Sequence, residues 1–359
     1  MDMEVVKDHD EEEYFESYTD LEVHKLMLDD TVRNEAYRAA ICDNPNIFAG
    51  KTVLDVGTGT GFLAILCAKA GASRVYAIEA SDMAELATVT VHENDVADKV
   101  QVIQNKIENV ELPEKVDIIV SEWMGFYLLH ESMIDSVIFA RDKFLKPEGV
   151  MYPYKCILHS APSYSPEIFK FWENIAGVKM NTIGQLYRTK YTGKPEIMQI
   201  HPNNILSKPL EVFEFNTKDI QQESIRKITK NVQSECHKNG VVNGIALWFD
   251  VYFHAGDKPD IVLTTAPVMS PLQLTHWKQT VIILPFEKTV EKSEKFHYNL
   301  DISKSAKNPR HYNIELNILD PDEQSAMSTS EDKSREEFHV HHNDDSEYDE
   351  YNSGSDDNN

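Results

Sequence analysis

The sequence is short of cysteine, of positive charge and of long apolar runs. Its four cysteines, Cys42, Cys67, Cys156 and Cys236, lie far apart. With no Cys-x-x-Cys pair they suggest neither a zinc site nor a disulfide framework, and they predict buried free thiols in a reducing compartment. Lysine and arginine total 35 against 60 aspartates and glutamates, a formal net charge of −25. Nucleic-acid phosphates and anionic membranes are held by clustered Lys and Arg, so neither is an expected partner and cationic ones are favoured. No apolar run is long enough to cross a bilayer. The opening MDMEVVKDHDEEEYF is acidic, unlike a secretory leader. These absences together predict a soluble protein of the nucleus and/or cytoplasm.

What is present suffices for a core: 359 residues, 41% of them hydrophobic, fit two domains and a short tail. From about residue 14 to residue 44, Tyr14, Phe15, Tyr18, Leu21, His24 and Leu28 recur at spacings of three and four, which predicts a helical segment within residues 1–50. Strands and helices then alternate. Strands are expected at 52–56, 74–79, 100–104 and 116–121, with helices at 62–70 and 83–93. That order implies a parallel sheet covered on both faces over residues 51–152. Pro147, Gly149 and Pro153 mark a boundary. Beyond it, residues 153–319 carry short alternating β-runs at 157–160, 245–253, 261–265, 280–284 and 311–319, which read as a barrel or sandwich. Residues 167–191, with apolar Phe169, Phe171, Trp172 and Ile175, read as a helical insertion. From Asp320 the chain turns acidic and Ser-rich, the composition of a disordered tail. The histidines 339, 341 and 342 lie in it without a rigid frame, and no metal site is expected.

The strongest local signal is Val53-Leu-Asp-Val-Gly-Thr-Gly-Thr-Gly61. A strand enters a turn with glycines at 57, 59 and 61 and leaves as a helix. Glycines let backbone approach a ligand closely, and the helix start offers unpaired N–H groups. A dinucleotide fingerprint would need G-x-G-x-x-G, but residue 62 is Phe. The G-x-G-x-G spacing after Asp55 is that of class I methyltransferases. Glu79, ending the second strand, is placed to accept hydrogen bonds from both ribose hydroxyls. NAD enzymes use the same logic, so Glu79 alone does not choose the cofactor.

A second signal follows the fourth strand, Ser121-Glu-Trp-Met-Gly-Phe-Tyr-Leu-Leu-His-Glu131. Open α/β sheets bind ligands at the carboxyl ends of their strands, where Glu122 falls. Gly125 lets the chain turn back so that Glu131 faces Glu122. Two carboxylates in one pocket repel unless a cation lies between them, and a guanidinium fits: planar, always charged, held bidentately. A third segment is Thr275-His276-Trp277 in the β-rich half.

Taken together these segments resemble the protein arginine N-methyltransferases, specifically the type I branch. The resemblance spans residues 14–319 and rests on ordered motifs. These are Tyr14-Phe-x-x-Tyr18, His24-x-x-Met27, Val32-Arg33, VLDVGTGTG, AIEAS, SEWMGFYLLHESM, LKPEGVMYP and THWKQT. The runs GIALWFDVYF and VELPEKVD look most like the vertebrate branch numbered six. The resemblance implies a Rossmann-like domain that binds S-adenosylmethionine, then a β-barrel with a helical dimerisation arm. It implies transfer of methyl groups to arginines of proteins with exposed basic segments, histones or Gly-Arg-rich proteins, by a homodimer.

Carried over residue by residue, Arg33 is expected to pair with the cofactor carboxylate, with His24 in the same helical lid and Phe15 and Tyr18 closing over the cofactor. Asp55 and Gly57 are expected at its amino-acid moiety, Glu79 at the ribose and Glu108 at the adenine, with Gly59 also binding the cofactor. Glu122 and Glu131 become the substrate clamp. His276 pairs with Asp30, and Met133 shapes the pocket so that both methyls go to one nitrogen. Either Glu131 or the Asp30–His276 pair takes the proton. Two rivals are a catalytically inactive homologue acting as an acidic scaffold and a methyltransferase for small molecules or nucleic acid. The intact glutamates, Gly57 and Arg33 oppose the first; the net charge opposes nucleic acid.

Overall fold

The computed structural model describes residues 14–192, 194–319 and 337–340. Residues 14–17 are helical. Two helices follow, α1 (Leu21–Asp29) and α2 (Thr31–Cys42), each started by an aspartate. Asp20 accepts the Glu22 N–H, and Asp30 accepts the Arg33 N–H. These side-chain caps break the expected single helical run into short pieces that can wrap a cavity.

A short helix α3 (Pro45–Phe48) leads into β1 (Thr52–Val56), α4 (Phe62–Lys69), β2 (Arg74–Glu79), α5 (Met83–Glu93), β3 (Val100–Gln104), β4 (Val116–Val120), α6 (Ile134–Phe144) and β5 (Leu145–Tyr152). The strands lie in the order β3-β2-β1-β4-β5, all parallel. β1 is buried along its whole length, as a central parallel strand covered on both faces must be. The strand order reverses between β1 and β4, so their carboxyl ends open a crevice. Both sequence signals, the glycine turn and Glu122, arrive there.

Pro153 falls between β5 and β6, while the other two marker residues lie inside a strand. β5 runs through Pro147 and Gly149, and its pairing with β4 shifts between Val116 and Ile118. The residues that break strands sit in this irregularity on an edge strand, where a missing N–H is tolerated.

The second half holds β6 (Lys155–Ser163), the helices α7 (Glu167–Lys170) and α8 (Asn181–Tyr191), β7 (Pro195–Met198), β8 (Leu210–Asn216), α9 (Gln222–Arg226), β9 (Lys227–Glu235), β10 (Gly240–Ala255), β11 (Lys258–Thr264), β12 (Gln279–Val290), β13 (Lys295–Lys304) and β14 (Tyr312–Leu319). One sheet runs β7-β12-β10-β6-β8 with β11 on β10; the other runs β14-β13-β9. In β13, Phe296, Tyr298, Leu300 and Ile302 point inward; in β14, Tyr312, Ile314 and Leu316 do. This period of two fills the barrel interior. The expected acidic tail falls mostly outside the described residues, as do His341 and His342. One piece differs from expectation: Glu337–Val340 forms β15, paired antiparallel to β14.

Candidate active site

One cavity of about 250 Å³ collects the sequence candidates. It is lined by Phe15, Tyr18, His24 and Arg33 from the helical lid and by Gly57, Gly59 and Glu79 from the parallel sheet. Glu108, Glu122, Glu131, Met133 and His276 also line it. Asp55 lies beneath the turn, and Asp30 behind His276.

The glycine turn is built for close approach. Gly57, Gly59 and Gly61 have φ of 72°, 53° and 86°, in the left-handed region that disfavours side chains. A Cβ on Gly57 would collide with Met133 Cε, and one on Gly59 would lie 3.1 Å from His24 Cε1. His24 itself is buried, its Nε2 2.8 Å from the Tyr18 carbonyl. Asp55 Oδ2 accepts a 2.6 Å bond from Thr58 Oγ1, while Oδ1 is buried with no protein partner. Burial pushes the Asp55 carboxyl up to about 7, against the pull of Thr58. Glu79 Oε2 accepts the Gly59 N–H at 2.8 Å; Oε1 accepts from Ser81 N and Oγ. Glu108, exposed, accepts from Ser136 Oγ at 2.7 Å.

The chain after β4, which carries Glu122 and Glu131, is a tight hairpin. Ser121 Oγ donates to the Val56 carbonyl and Tyr37 Oη to the Ser121 carbonyl, fixing the end of β4 against β1. A Cβ on Gly125 would overlap the His130 carbonyl, so only glycine lets the chain fold back here. Tyr127, Leu128, Glu131 and Ser132 all have positive φ. Trp277, from the barrel, donates its Nε1–H to the Met124 carbonyl at 2.7 Å and pins the hairpin from outside.

Glu131 accepts a 2.6 Å bond from Tyr18 Oη. Burial pushes its carboxyl above the ordinary range, and the Glu122 charge adds to this; Tyr18 and the Arg310 cation oppose it. Glu122 Oε2 accepts from Arg33 Nε at 3.0 Å, both side chains being largely buried. Arg33 Nη1 also donates to Asn34 Oδ1 at 2.9 Å. Arg33, expected at the cofactor carboxylate, lines the cavity and pairs there with Glu122. Asp30 Oδ2 accepts both the backbone N–H and Nδ1 of His276, at 2.9 and 2.8 Å. Burial would raise the Asp30 carboxyl, but these bonds and the Arg33 N–H outweigh it and hold it below the ordinary range.

Residues 53–149 match the family described as "Methyltransferase domain", and residues 156–319 match the "Arginine methyltransferase oligomerization subdomain". Protein arginine N-methyltransferase 6 of Xenopus tropicalis is 39% identical over 312 residues, covering 85% of this chain and 90% of its own. Probable protein arginine N-methyltransferase 6.1 of Oryza sativa subsp. indica is 37% identical over 331 residues, covering 84% and 86%. Among solved structures, Arabidopsis thaliana protein arginine methyltransferase 10 superposes with a TM-score of 0.77 at 35% identity, covering 91% of this chain and 99% of its own. The Trypanosoma brucei PRMT1 enzyme–prozyme heterotetrameric complex with AdoHcy gives 0.77 at 30% identity, covering 90% and 100%.

The chain belongs to the protein arginine N-methyltransferase family. A methyltransferase domain of this kind takes S-adenosylmethionine, and the site fits that cofactor. The unpartnered Asp55 Oδ1, the side-chain-free cradle at Gly57 and Gly59, and the Glu79 carboxylate line one cavity or lie directly beneath it. Sequence reading of this arginine methyltransferase missed Lys106 and Arg310, which also line the cavity. Lys106 Nζ sits 5.0 Å from the Phe15 ring centroid. Neither lies in a spaced motif, and only the three-dimensional approach of two cations to one aromatic ring marks them.

Proposed function

We propose that this arginine methyltransferase is a type I enzyme, converting protein arginines to ω-monomethyl and then asymmetric dimethylarginine in exposed basic segments such as those of histones or Gly-Arg-rich proteins. The supporting observation is the placement of Glu122 and Glu131 in one cavity with the glycine turn. S-adenosylmethionine, when bound, supplies a methyl carbon on a sulfonium. Gly57, Gly59 and Asp55 would hold its amino-acid end and Glu79 its ribose, with Phe15, Tyr18 and His24 above and Glu108 at the adenine.

Guanidinium nitrogens are poor nucleophiles because their lone pairs are delocalised and the group is cationic. Glu122 and Glu131 draw positive charge to the nitrogens they hold, leaving the remaining terminal nitrogen richer in electrons. The carboxylates are fixed before the substrate arrives, so the reaction need not reorganise them. Tyr18 orients Glu131, and Arg33 orients Glu122. The proton must leave as the C–N bond forms. Glu131, raised by burial, is a stronger base than an ordinary carboxylate, and the Asp30–His276 pair is the second route. Met133, packed beside Gly57, narrows the space around the nitrogen, which supports the asymmetric product.

The matched oligomerization subdomain supports assembly, and we read it as a homodimer built by residues 167–191. Reaction in nucleus and/or cytoplasm accords with the acidic sequence and its scattered cysteines.

Glu131→Gln should lower kcat about 100-fold or more with a small change in cofactor Kd. Glu122→Gln should lower kcat similarly, again with a small change in cofactor Kd. Peptide methylation with calorimetric cofactor titration checks both. Wild-type turnover in either variant removes the clamp.

A further inference from the structure

From the geometry we infer that Arg310, on the loop joining β13 to β14, is a positioning residue that clasps the lid onto the acceptor hairpin. The inference rests on the methyl-transfer reading and adds the device that couples cofactor closure to Glu131.

The loop is stiff. Ser305 N–H donates to the His311 carbonyl, Ser305 Oγ accepts from the N–H groups of Lys307 and Asn308, and Asn308 Oδ1 accepts the Arg310 N–H. The guanidinium therefore projects from a held backbone. Its Cζ lies 3.7 Å from the Tyr14 ring centroid and 5.0 Å from that of Phe15. Its Nη1 donates to the Glu131 carbonyl at 3.2 Å. One flat cation thus touches two lid aromatics with its face and the hairpin backbone with its edge. Only a guanidinium offers both at once.

Glu131 needs such a hold. Its φ is 70°, left-handed for a non-glycine residue. The lid is equally dependent: Phe15 meets Lys106 from the sheet domain and Arg310 from the barrel. The Tyr14 and Tyr18 rings pack at a tilt, 5.1 Å apart, and Tyr18 donates to Glu131. Closing the lid therefore sets Glu131 through two routes, Tyr18 on its carboxylate and Arg310 on its carbonyl. The groups facing the Glu131 carboxylate are Tyr18 and Tyr14 from the lid, Glu122 from the hairpin's start and Arg310 from the barrel. Of these only Arg310 is cationic, and it favours the ionised form.

The test uses full-length protein, S-adenosylhomocysteine and an arginine peptide. Arg310→Ala should weaken S-adenosylhomocysteine binding roughly tenfold and abolish its protection of amides 14–18 from hydrogen exchange. It should also move the acid limb of kcat/KM to higher pH by about half a unit, since a cation near Glu131 is lost. Arg310→Lys should restore the acid limb but not the binding, because an ammonium keeps the charge without the flat double contact. Lys307→Ala, an exposed charge on the same loop, should match wild type. Wild-type affinity and lid protection in both Arg310 variants would overturn the inference. So would a loss of thermal stability alone, with kinetics and pH profile unchanged. If Arg310→Ala does not fold, Tyr14→Leu combined with Arg310→Lys decides. Losses that do not add support the clasp, and losses that add refute it. Failure of wild type to methylate the peptide would refute the methyl-transfer reading instead, since lid protection is read without turnover.

Discussion

At the residue scale the site is a set of buried charges whose neighbours decide their protonation. Glu131 is raised mainly by burial, so at pH values just above the ordinary 4.5 it still carries its proton. Methyl transfer to a clamped guanidinium needs the carboxylate. The acid limb of kcat/KM for peptide, measured at saturating cofactor, should therefore fall above pH 4.5, with activity rising as pH rises; a limb at or below 4.5 contradicts this. The effect on stability has the same origin. A carboxyl raised in the folded state favours folding while protonated, and that contribution is lost as pH rises through its folded value. Asp30 has the opposite sign: lowered by its bonds to His276 and Arg33, it stabilises above its unfolded value near 3.8, and this is lost as pH falls through its folded value. Gly57 makes a second prediction. At φ 72° against Met133, Gly57→Ala should cost roughly 1–2 kcal/mol of stability and weaken cofactor binding at least tenfold, measured by denaturant titration and calorimetry.

The residues that sequence could reveal are those in local spacing. Glu122 and Glu131 flank a glycine that must turn, and Asp55 and Glu79 end neighbouring strands, so chain order alone places them. Arg310 reaches Glu131 from 179 residues away, and no local pattern carries such a contact. The Arg33–Glu122 pair is hidden for the same reason, its members lying 89 residues apart.

At the element scale the molecule is legible where burial follows one period. β1 and β2 are legible because they are buried almost along their whole length, and α5 because Met83, Ala87 and Val91 recur every four residues. β9 was missed. Over Lys227–Glu235 only Ile228, Val232 and Ser234 are buried, too few for alternation to stand out. β5 escapes a sequence reading because its proline and glycine, which signal a break, occupy an edge irregularity inside the strand. The inserted arm differs in kind. Trp172 packs inside it, 5.3 Å from the Tyr187 ring and against Gly184, where a Cβ would lie 2.8 Å from Trp172 Cβ. The side chain of Phe169 lies outside the described residues. The apolar groups turned outward are Phe171, 62% exposed, and Leu186, 68% exposed, with Val178 and Ile183. Apolar side chains left this open on a helical arm call for a partner. Phe171→Ser with Leu186→Ser should shift the assembly to monomer in sedimentation at micromolar concentration, while Trp172→Ala should mainly unfold the arm. A double variant that keeps the wild-type mass would contradict the arm's role in assembly.

At the scale of the whole molecule, a parallel sheet, a helical lid and a barrel each send side chains to one crevice. The sheet brings the glycine turn and the first glutamate. The lid brings Tyr18 and Arg33. The barrel brings Trp277 and Arg310, which hold the hairpin and its second glutamate from the far side, and His276, which holds Asp30 of the lid. A net charge of −25 suits an acceptor that arrives as a cation. All of this serves one claim, that two carboxylates hold an arginine guanidinium against a methyl donor. The most direct measurement incubates the protein with isotopically labelled S-adenosylmethionine and paired peptides, one with arginine and one with lysine in its place, and fragments the products by mass spectrometry. The account predicts label on the arginine peptide alone, with both methyls on a single terminal nitrogen at completion. Label on lysine, or none on arginine while cofactor binds normally, would contradict it.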